Sequence, residues 1–291
     1  MVTVGLQTYN RADSYLRQAI DSILSQTYKD FELVISDNAS TDNTEEICRE
    51  YAKKDHRIRY IRQKTNIEYV SNANFLRTQI RGKYFAWMAD DDVWAPTFLE
   101  KCVAKIEDNP DVILAAANIM DFDDFGRKGL LRIGKKFCPT EKDLYRRLKD
   151  YILMYESEGK DLPVYCAVWR REAVVNYFYT DYFIKYPYNW DFQDMDFVFY
   201  GLIKGPFEFT DEVLFHKRAK SDSFNPPRKK TFFRRLFDSF LYSRLKRLLT
   251  PFFYRRMGKI IKVRGLSIRQ KFWLIFWNIY VMSRFFWKRK I

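Results

Sequence analysis

The 291 residues suffice to bury one sizeable core, or one domain with an appendage. Hydrophobic residues at 47% and aromatics at 18% exclude a disordered chain, and a net charge of +14 calls for an anionic partner. From Arg228 onward, 19 Lys and Arg stand against the single acid Asp238, so the residues before Pro226-Pro227 are slightly acidic and the composition changes there.

Val2 to Thr8 has strand composition, and Tyr9-Asn10-Arg11 breaks it. A helix follows from near Ser14, with Leu16, Ala19, Ile20, Ile23 and Leu24 on one face. Phe31 to Ile35 is a second buried strand that runs out at Ser36-Asp37-Asn38. Ser40-Thr41-Asp42 then offers cap oxygens to a helix carrying Ile47 and Tyr51. Ile58 to Ile61 reads as strand, Val70 to Ile80 as helix, Tyr84 to Met88 as strand, Pro96 to Ile106 as helix and Val112 to Ala117 as strand. Strict alternation predicts an α/β fold with a parallel sheet covered on both faces.

In such sheets ligands bind at the carboxyl ends of the strands. Those ends carry Tyr9-Asn10-Arg11, Asp37-Asn38 and the consecutive carboxylates Asp90, Asp91 and Asp92. Adjacent carboxylates repel, and a cation relieves the repulsion most cheaply; oxygen-only ligands suit Mg²⁺ or Mn²⁺. Read alone, the same run is also compatible with a solvated turn before the Pro96 helix. No G-x-G-x-x-G follows the first strand and no G-x-x-x-x-G-K-[ST] occurs, which leaves a metal-bridged diphosphate as the simplest ligand.

The segments VTVGLQTYNR, SQTYKDFELVISDNASTDNT and RGKYFAWMADDDVWAPTFLEK resemble family 2 glycosyltransferases of the GT-A fold, closely over about the first 120 residues and more loosely to Ser223. The resemblance implies inverting transfer of a sugar from a nucleotide diphosphate sugar, a UDP-sugar being favoured, with Mn²⁺ or Mg²⁺ as cofactor. Matched by position, it implies nucleotide contacts from Thr8, Tyr9 (against the base), Asn10, Arg11, Asp37 (to the base), Asn66 and Asp90 (to the ribose). It implies Asp91 as metal ligand, with Asp92 and His216 as further candidates. Ala89 stands where many members carry the first Asp of D-x-D, and Glu68 where Gly is common. Each residue also has a plainer reading: Tyr9 as packing at a strand end, Asn10 and Asp37 as turn chemistry, His216 as a structural hydrogen-bonder.

Further along, Asp121 to Gly126 reads as a solvated turn, and Thr140 as the cap of a helix with Leu144, Leu148, Ile152 and Tyr155 inward. Pro163 to Val175 is similar to the family's acceptor-side strand followed by R-R-E-A. The resemblance places the general base eleven residues before a helix-ending glycine, which from Gly205 reaches Asp194, with Asp191 as the alternative and Asp196 a competitor. Arg218 is a diphosphate contact by charge alone.

The expected domains are residues 1–225, a glycosyltransferase domain with a nucleotide-sugar half (1–120) and an acceptor-side half (121–225), and a basic helical extension at 226–291. In that extension basic pairs alternate with Phe, Tyr, Leu and Trp, and the longest apolar run, Phe272 to Ser283, is short of the roughly 20 residues a membrane span needs. An anionic membrane surface is therefore the expected partner of residues 228–291, with single-stranded nucleic acid ranked below it. The four scattered cysteines suit a reducing compartment, and no signal-peptide pattern opens the chain, so a cytoplasmic protein peripheral to the inner face of the cell membrane is expected. The acceptor would be a lipid-linked or cell-envelope glycan. A sugar-phosphate nucleotidyltransferase and a non-enzymatic membrane- or nucleic-acid-binding protein are the alternatives, and nothing in the sequence names an oligomeric state.

Overall fold

The computed structural model describes residues 1–123, 128–132, 140–154, 166–177, 190–219 and 255–287. Nine strands among them form one sheet: β1 (Val2–Thr8), β2 (Phe31–Asp37), β3 (Ile58–Arg62), β4 (Tyr84–Met88), β5 (Val93–Trp94), β6 (Leu114–Phe122), β7 (Lys128–Arg132), β8 (Ala167–Arg170) and β9 (Phe207–Arg218). The order is β3-β2-β1-β4-β8-β6-β9-β5, with β7 pairing β6. The helices are α1 (Leu16–Leu24), α2 (Thr44–Lys54), α3 (Tyr69–Thr78), α4 (Phe98–Glu107), α5 (Leu144–Leu153), α6 (Arg171–Val174), α7 (Trp190–Lys204), α8 (255–262) and α9 (Ile268–Trp287).

The expected periodicities are realised. Leu16, Ala19, Ile20 and Ile23 of α1 are buried, and β4 is buried along its whole length. β1 to β4 are parallel, as alternation requires. Beyond β4 the sheet is mixed, because β8 lies antiparallel between β4 and β6, pairing Tyr84 with Arg170 and Leu114 with Trp169. Burial on both faces gives a strand the same apolar composition whichever way it runs, so its direction is invisible in the sequence. The sheet is therefore mixed and mostly parallel.

Two local expectations are corrected, and a third is narrowed to one residue. Asp121 and Asp123 do not form a solvated turn: Asp121 lies within β6 across from Lys217, and both are buried. Asp124 to Gly126 lie outside the described residues. The cap of α5 is Asp143, whose Oδ1 accepts the Arg146 amide at 2.8 Å, while Thr140 is exposed. At α2, Asp42 accepts the first-turn Thr44 amide at 3.0 Å, and Ser40 is used elsewhere. At both helix starts the acid competes better than the neighbouring hydroxyl, since a carboxylate accepts more strongly at a helix's positive end.

Part of the basic extension returns onto the acceptor-side half. α9 packs on α5, α5 packs on α7, and Ile260 and Leu274 join the same buried core as the sheet. Gly265, at φ 85°, takes the left-handed turn between α8 and α9. Among the described residues, no helix is long and apolar enough to cross a membrane.

Candidate active site

Register places the polar strand ends together. Thr8 pairs with Asp37, Asp37 with Arg62, and Leu6 with Met88, so the residues after β4 emerge beside the end of β1. A cleft of about 490 Å³ opens there. Its walls include Thr8, Tyr9 and Arg11 from the end of β1, Asn38 after β2, Asn66 and Glu68 before α3, and Asp90 and Asp91 after β4. A more open concavity along α2 is lined by side chains such as Glu45 and Arg49 that pair with one another on the surface.

Thr8, Tyr9, Arg11, Asn66, Asp90 and Asp91 thus share one cleft. Tyr9 is exposed there, free to lie against a flat ring. Arg11 donates Nε to Asp90 Oδ2 at 3.2 Å. Burial pushes Asp90 up to about 6 despite Arg11, with Asp91 adding to the rise. Gln7 Oε1 and Trp87 Nε1, both from residues lining the cleft, are buried without a hydrogen-bond partner among the described residues. Buried polar atoms are ordinarily satisfied, so two orphans at one cleft mark a place that a ligand or ordered water completes.

Two expected contacts are not among the residues lining the cleft. Asp37 is fully buried: its Oδ1 accepts the Ser40 amide at 2.9 Å and the Ser40 hydroxyl at 2.6 Å, and its Oδ2 accepts the Tyr60 hydroxyl at 2.7 Å. Burial and Asp37 push the Tyr60 hydroxyl upward, so it remains a donor. Asn10, at φ 53°, accepts the Thr41 amide on Oδ1 at 2.8 Å and gives its own amide to Ser40 Oγ at 3.0 Å. Asn tolerates this left-handed geometry better than most residues, and here it ties the β1 loop to the β2 loop.

Asn38 does the same for the far wall. Its Nδ2 donates to Asn66 Oδ1 at 3.0 Å and its Oδ1 accepts the Ile67 amide at 2.9 Å. Asn66 Oδ1 also accepts the Glu68 amide at 2.9 Å. Glu68 then sits at φ 67°, ψ 158°, a region that glycine occupies almost alone, which gives a physical reason for the glycine common at this position.

The three consecutive acids have separate environments. Asp91 lines the cleft, and its carbonyl accepts Arg218 Nε at 3.0 Å. Asp92 turns inward, accepting the Arg218 amide on Oδ1 at 2.8 Å; burial and then Asp91 push it up to about 7. Arg218 is held between the rings of Tyr15 and Phe122, at 3.5 and 4.4 Å, and clamps the acidic loop to the end of β9. His216 lies two residues earlier on β9, opposite Val93 and edge-on to Phe122. Among the described residues no three His, Cys, Asp or Glu side chains form a complete metal cage. The donor set nevertheless fits Mg²⁺ or Mn²⁺ of the kind bound by one or two carboxylates and completed by substrate phosphates, and crowded carboxylates with raised pKa values are what such a cation neutralises.

Asp194 is on α7, in the acceptor-side half, and is buried; Asp191 is on the first turn of the same helix, its side chain outside the described residues. α7 ends at Lys204, and a Cβ on Gly205 would come within 2.4 Å of the Asp111 carbonyl, so only glycine fits that helix end. Trp87, Tyr69 and Asn72 also line the cleft and were not singled out from sequence. Strand and helix patterns contain them without distinction, and only the fold brings them to the cleft.

The family model described as "Glycosyl transferase family 2" matches residues 3–178. An uncharacterized glycosyltransferase of Methanocaldococcus jannaschii is 36% identical over 152 residues, spanning 52% of this chain and 50% of that protein. The chain thus covers about half the length of that relative. Among solved structures, S. aureus TarS 1–349 in complex with UDP-GlcNAc superimposes with a TM-score of 0.64 at 15% identity, covering 98% of this chain and 73% of that one. The mannosyltransferase PcManGT from Pyrobaculum calidifontis, in complex with GDP-Man and Mn²⁺, gives 0.54 at 15% identity, covering 97% and 74%. At such identities the two structures speak for the fold.

Proposed function

The chain belongs to glycosyl transferase family 2, and from that premise we propose that it is an inverting transferase, moving a sugar from a nucleotide diphosphate sugar to a hydroxyl of a lipid-linked or cell-envelope glycan. The observation that carries this reading is the strand-end cleft, where an exposed Tyr9, the Arg11–Asp90 pair, the Asp91 carboxylate and two orphaned polar atoms converge. A UDP-sugar is the favoured donor; the UDP-GlcNAc bound by TarS supports that choice.

In this reading Tyr9 lies against the base, and Asp90 meets the ribose while Arg11 holds it ionised. Asp37, Asn10 and Asn38 keep the loops in register, and Thr8 and Asn66 complete the donor walls. Asp91 would hold a divalent cation, Asp92 and His216 being nearby candidates; when bound, the cation neutralises charge on the departing diphosphate. The Mn²⁺ of PcManGT supports such a cofactor. Asp194 takes the proton from the acceptor hydroxyl as its oxygen bonds to the anomeric carbon and the bond to the diphosphate breaks, with inversion at that carbon. Asp191 is the alternative base.

We place the enzyme on the inner face of the cell membrane, bound through the basic region 228–291. The outward side of α9 supports this: Ile268, Phe272, Phe276 and Ile279 recur at helical spacing and are exposed, 87% and 62% for the first two, while Leu274 and Asn278 face the protein. Residues 255–287 carry eight Lys and Arg and no acid, which complements anionic headgroups.

The test is a thermal-shift and calorimetric screen of UDP, GDP and their sugars with and without Mn²⁺, on the wild type and Asp91→Asn. Binding of one nucleotide is expected to strengthen about tenfold or more with metal in the wild type and to lose that dependence in the variant. Equal affinity with and without metal in both proteins would remove the metal role, and no nucleotide binding at all would sink the transferase reading.

A further inference from the structure

Around α7 lies a cluster of charged and hydroxyl groups that the chemistry above does not use. Asp196, fully buried, accepts Lys259 Nζ from α8 on Oδ2 at 2.6 Å and the Tyr177 hydroxyl on the same oxygen at 2.8 Å. Lys259 Nζ also reaches the Asp196 carbonyl at 3.4 Å and lies 4.9 Å from the centre of the Tyr177 ring. One residue earlier, the Met195 carbonyl accepts the Tyr151 hydroxyl of α5 at 2.9 Å. One turn before Lys259, the buried Arg256 stacks over Tyr151 and Phe199. The backbone directly after Asp194 is therefore held from two helices, α5 and α8, and the cation comes from the basic extension.

Residues two apart on a helix project about 200° apart. Asp196 bonds Lys259 of α8, so Asp194 projects to the opposite side of α7, away from α8. A buried ion pair is weak support for stability as such, since removing two charges from water costs nearly as much as their attraction returns. Its use is directional: the pair is satisfied in only one rotation and one height of α7 against α8.

We propose that Lys259 is a positioning residue for Asp194, and that α8 is thereby part of the acceptor side of the site rather than a detachable appendage. This rests on the reading of Asp194 as the general base. Lys259 touches no reacting atom; it sets the rotation of α7, and the rotation sets where the carboxylate is aimed.

The experiment uses the full chain and whichever of UDP-glucose, UDP-GlcNAc and GDP-mannose it hydrolyses fastest with Mn²⁺. Lys259→Met is expected to leave nucleotide affinity unchanged and to lower turnover about tenfold or more, with Lys259→Arg restoring most of it. In an Asp194→Asn background Lys259→Met should add almost nothing, because the carboxylate it aims is gone. A second readout needs no turnover: deuterium exchange over 190–204 should quicken in Lys259→Met and return to wild type in Lys259→Arg, with 2–8 and 31–37 unaltered. If Lys259→Met fails to fold, the charge-neutral pair Lys259→Met/Asp196→Asn replaces it. Normal turnover with only a lower melting temperature, full additivity with Asp194→Asn, or unchanged exchange in α7 would each overturn the inference. Normal turnover in Asp194→Asn itself would instead overturn the base assignment, which keeps the two failures apart.

Discussion

Replacing Glu68 with glycine should make the protein more stable, although it deletes a whole side chain. At φ 67°, ψ 158° an L-residue costs about 1–3 kcal/mol. Four hydrogen bonds hold it there: Glu68 N to Asn66 Oδ1, Ile67 N to Asn38 Oδ1, Asn38 Nδ2 to Asn66 Oδ1, and Asn72 N to the Glu68 carbonyl. At about 0.5–1.5 kcal/mol net each they outweigh the strain, so the loop keeps its shape with glutamate in place. Glycine removes the strain and adds about 0.5–1 kcal/mol of unfolded-state entropy, leaving a net gain of about 0.5–2 kcal/mol. Each kcal/mol is worth about 2–4 °C in Tm for a chain approaching this size. Glu68→Ala is the control, since it removes the same carboxylate but keeps the Cβ and therefore the strain. Both variants clear a negative charge from the cleft wall and should tighten nucleotide binding by up to about fivefold, the upper worth of an exposed charge. A Glu68→Gly protein that melts at or below the temperature of Glu68→Ala would refute the strain argument.

The two glycines flanking α7 and within α8 should respond in opposite directions to alanine. Gly205→Ala drives a methyl against the Asp111 backbone and Ile113 and should cost about 1–3 kcal/mol in urea titrations, whereas Gly258→Ala, with nothing within 4 Å, should gain about 0.5–1 kcal/mol; equal midpoints would contradict the packing. Phe272→Ser/Phe276→Ser removes two exposed rings from α9, so Tm should hold within about 2 °C while sedimentation with anionic vesicles falls about tenfold, and undiminished vesicle binding would remove α9 from the membrane contact. Burial and the nearby Asp37 push the Cys48 thiol up to about 12. At pH 8 its thiolate fraction is then about 10⁻⁴, against about a quarter for a free cysteine. Cys48, together with the buried Cys102 and Cys166, should therefore resist thiol reagents until the protein is denatured, and rapid labelling of any of the three at pH 8 would count against their burial.

What the chain declares by itself is whatever depends on near neighbours. Three- and four-residue spacing placed Leu16, Ala19, Ile20 and Ile23 in the core, and the apolar run from Tyr84 to Met88 read as a buried strand delivering Asp90 and Asp91 to a sheet edge. Alternation of strand and helix made β1 to β4 parallel, and their register then brought Thr8, Tyr9, Arg11, Asn66, Asp90 and Asp91 to one cleft. Tertiary structure decided what depends on partners distant in the chain. Asp91 and Asp92 are alike in sequence, yet one lines the cleft and the other bonds an amide 126 residues away. Asp37, alike in sequence to any strand-end acid, finds partners in Ser40 and in Tyr60, 23 residues away. The basic extension read as a tail because its charges have no local acid to answer them. Lys259 finds its counter-ion in Asp196, 63 residues earlier, and a buried pair of that kind exists only once α7 and α8 have been brought together and water has been excluded between them.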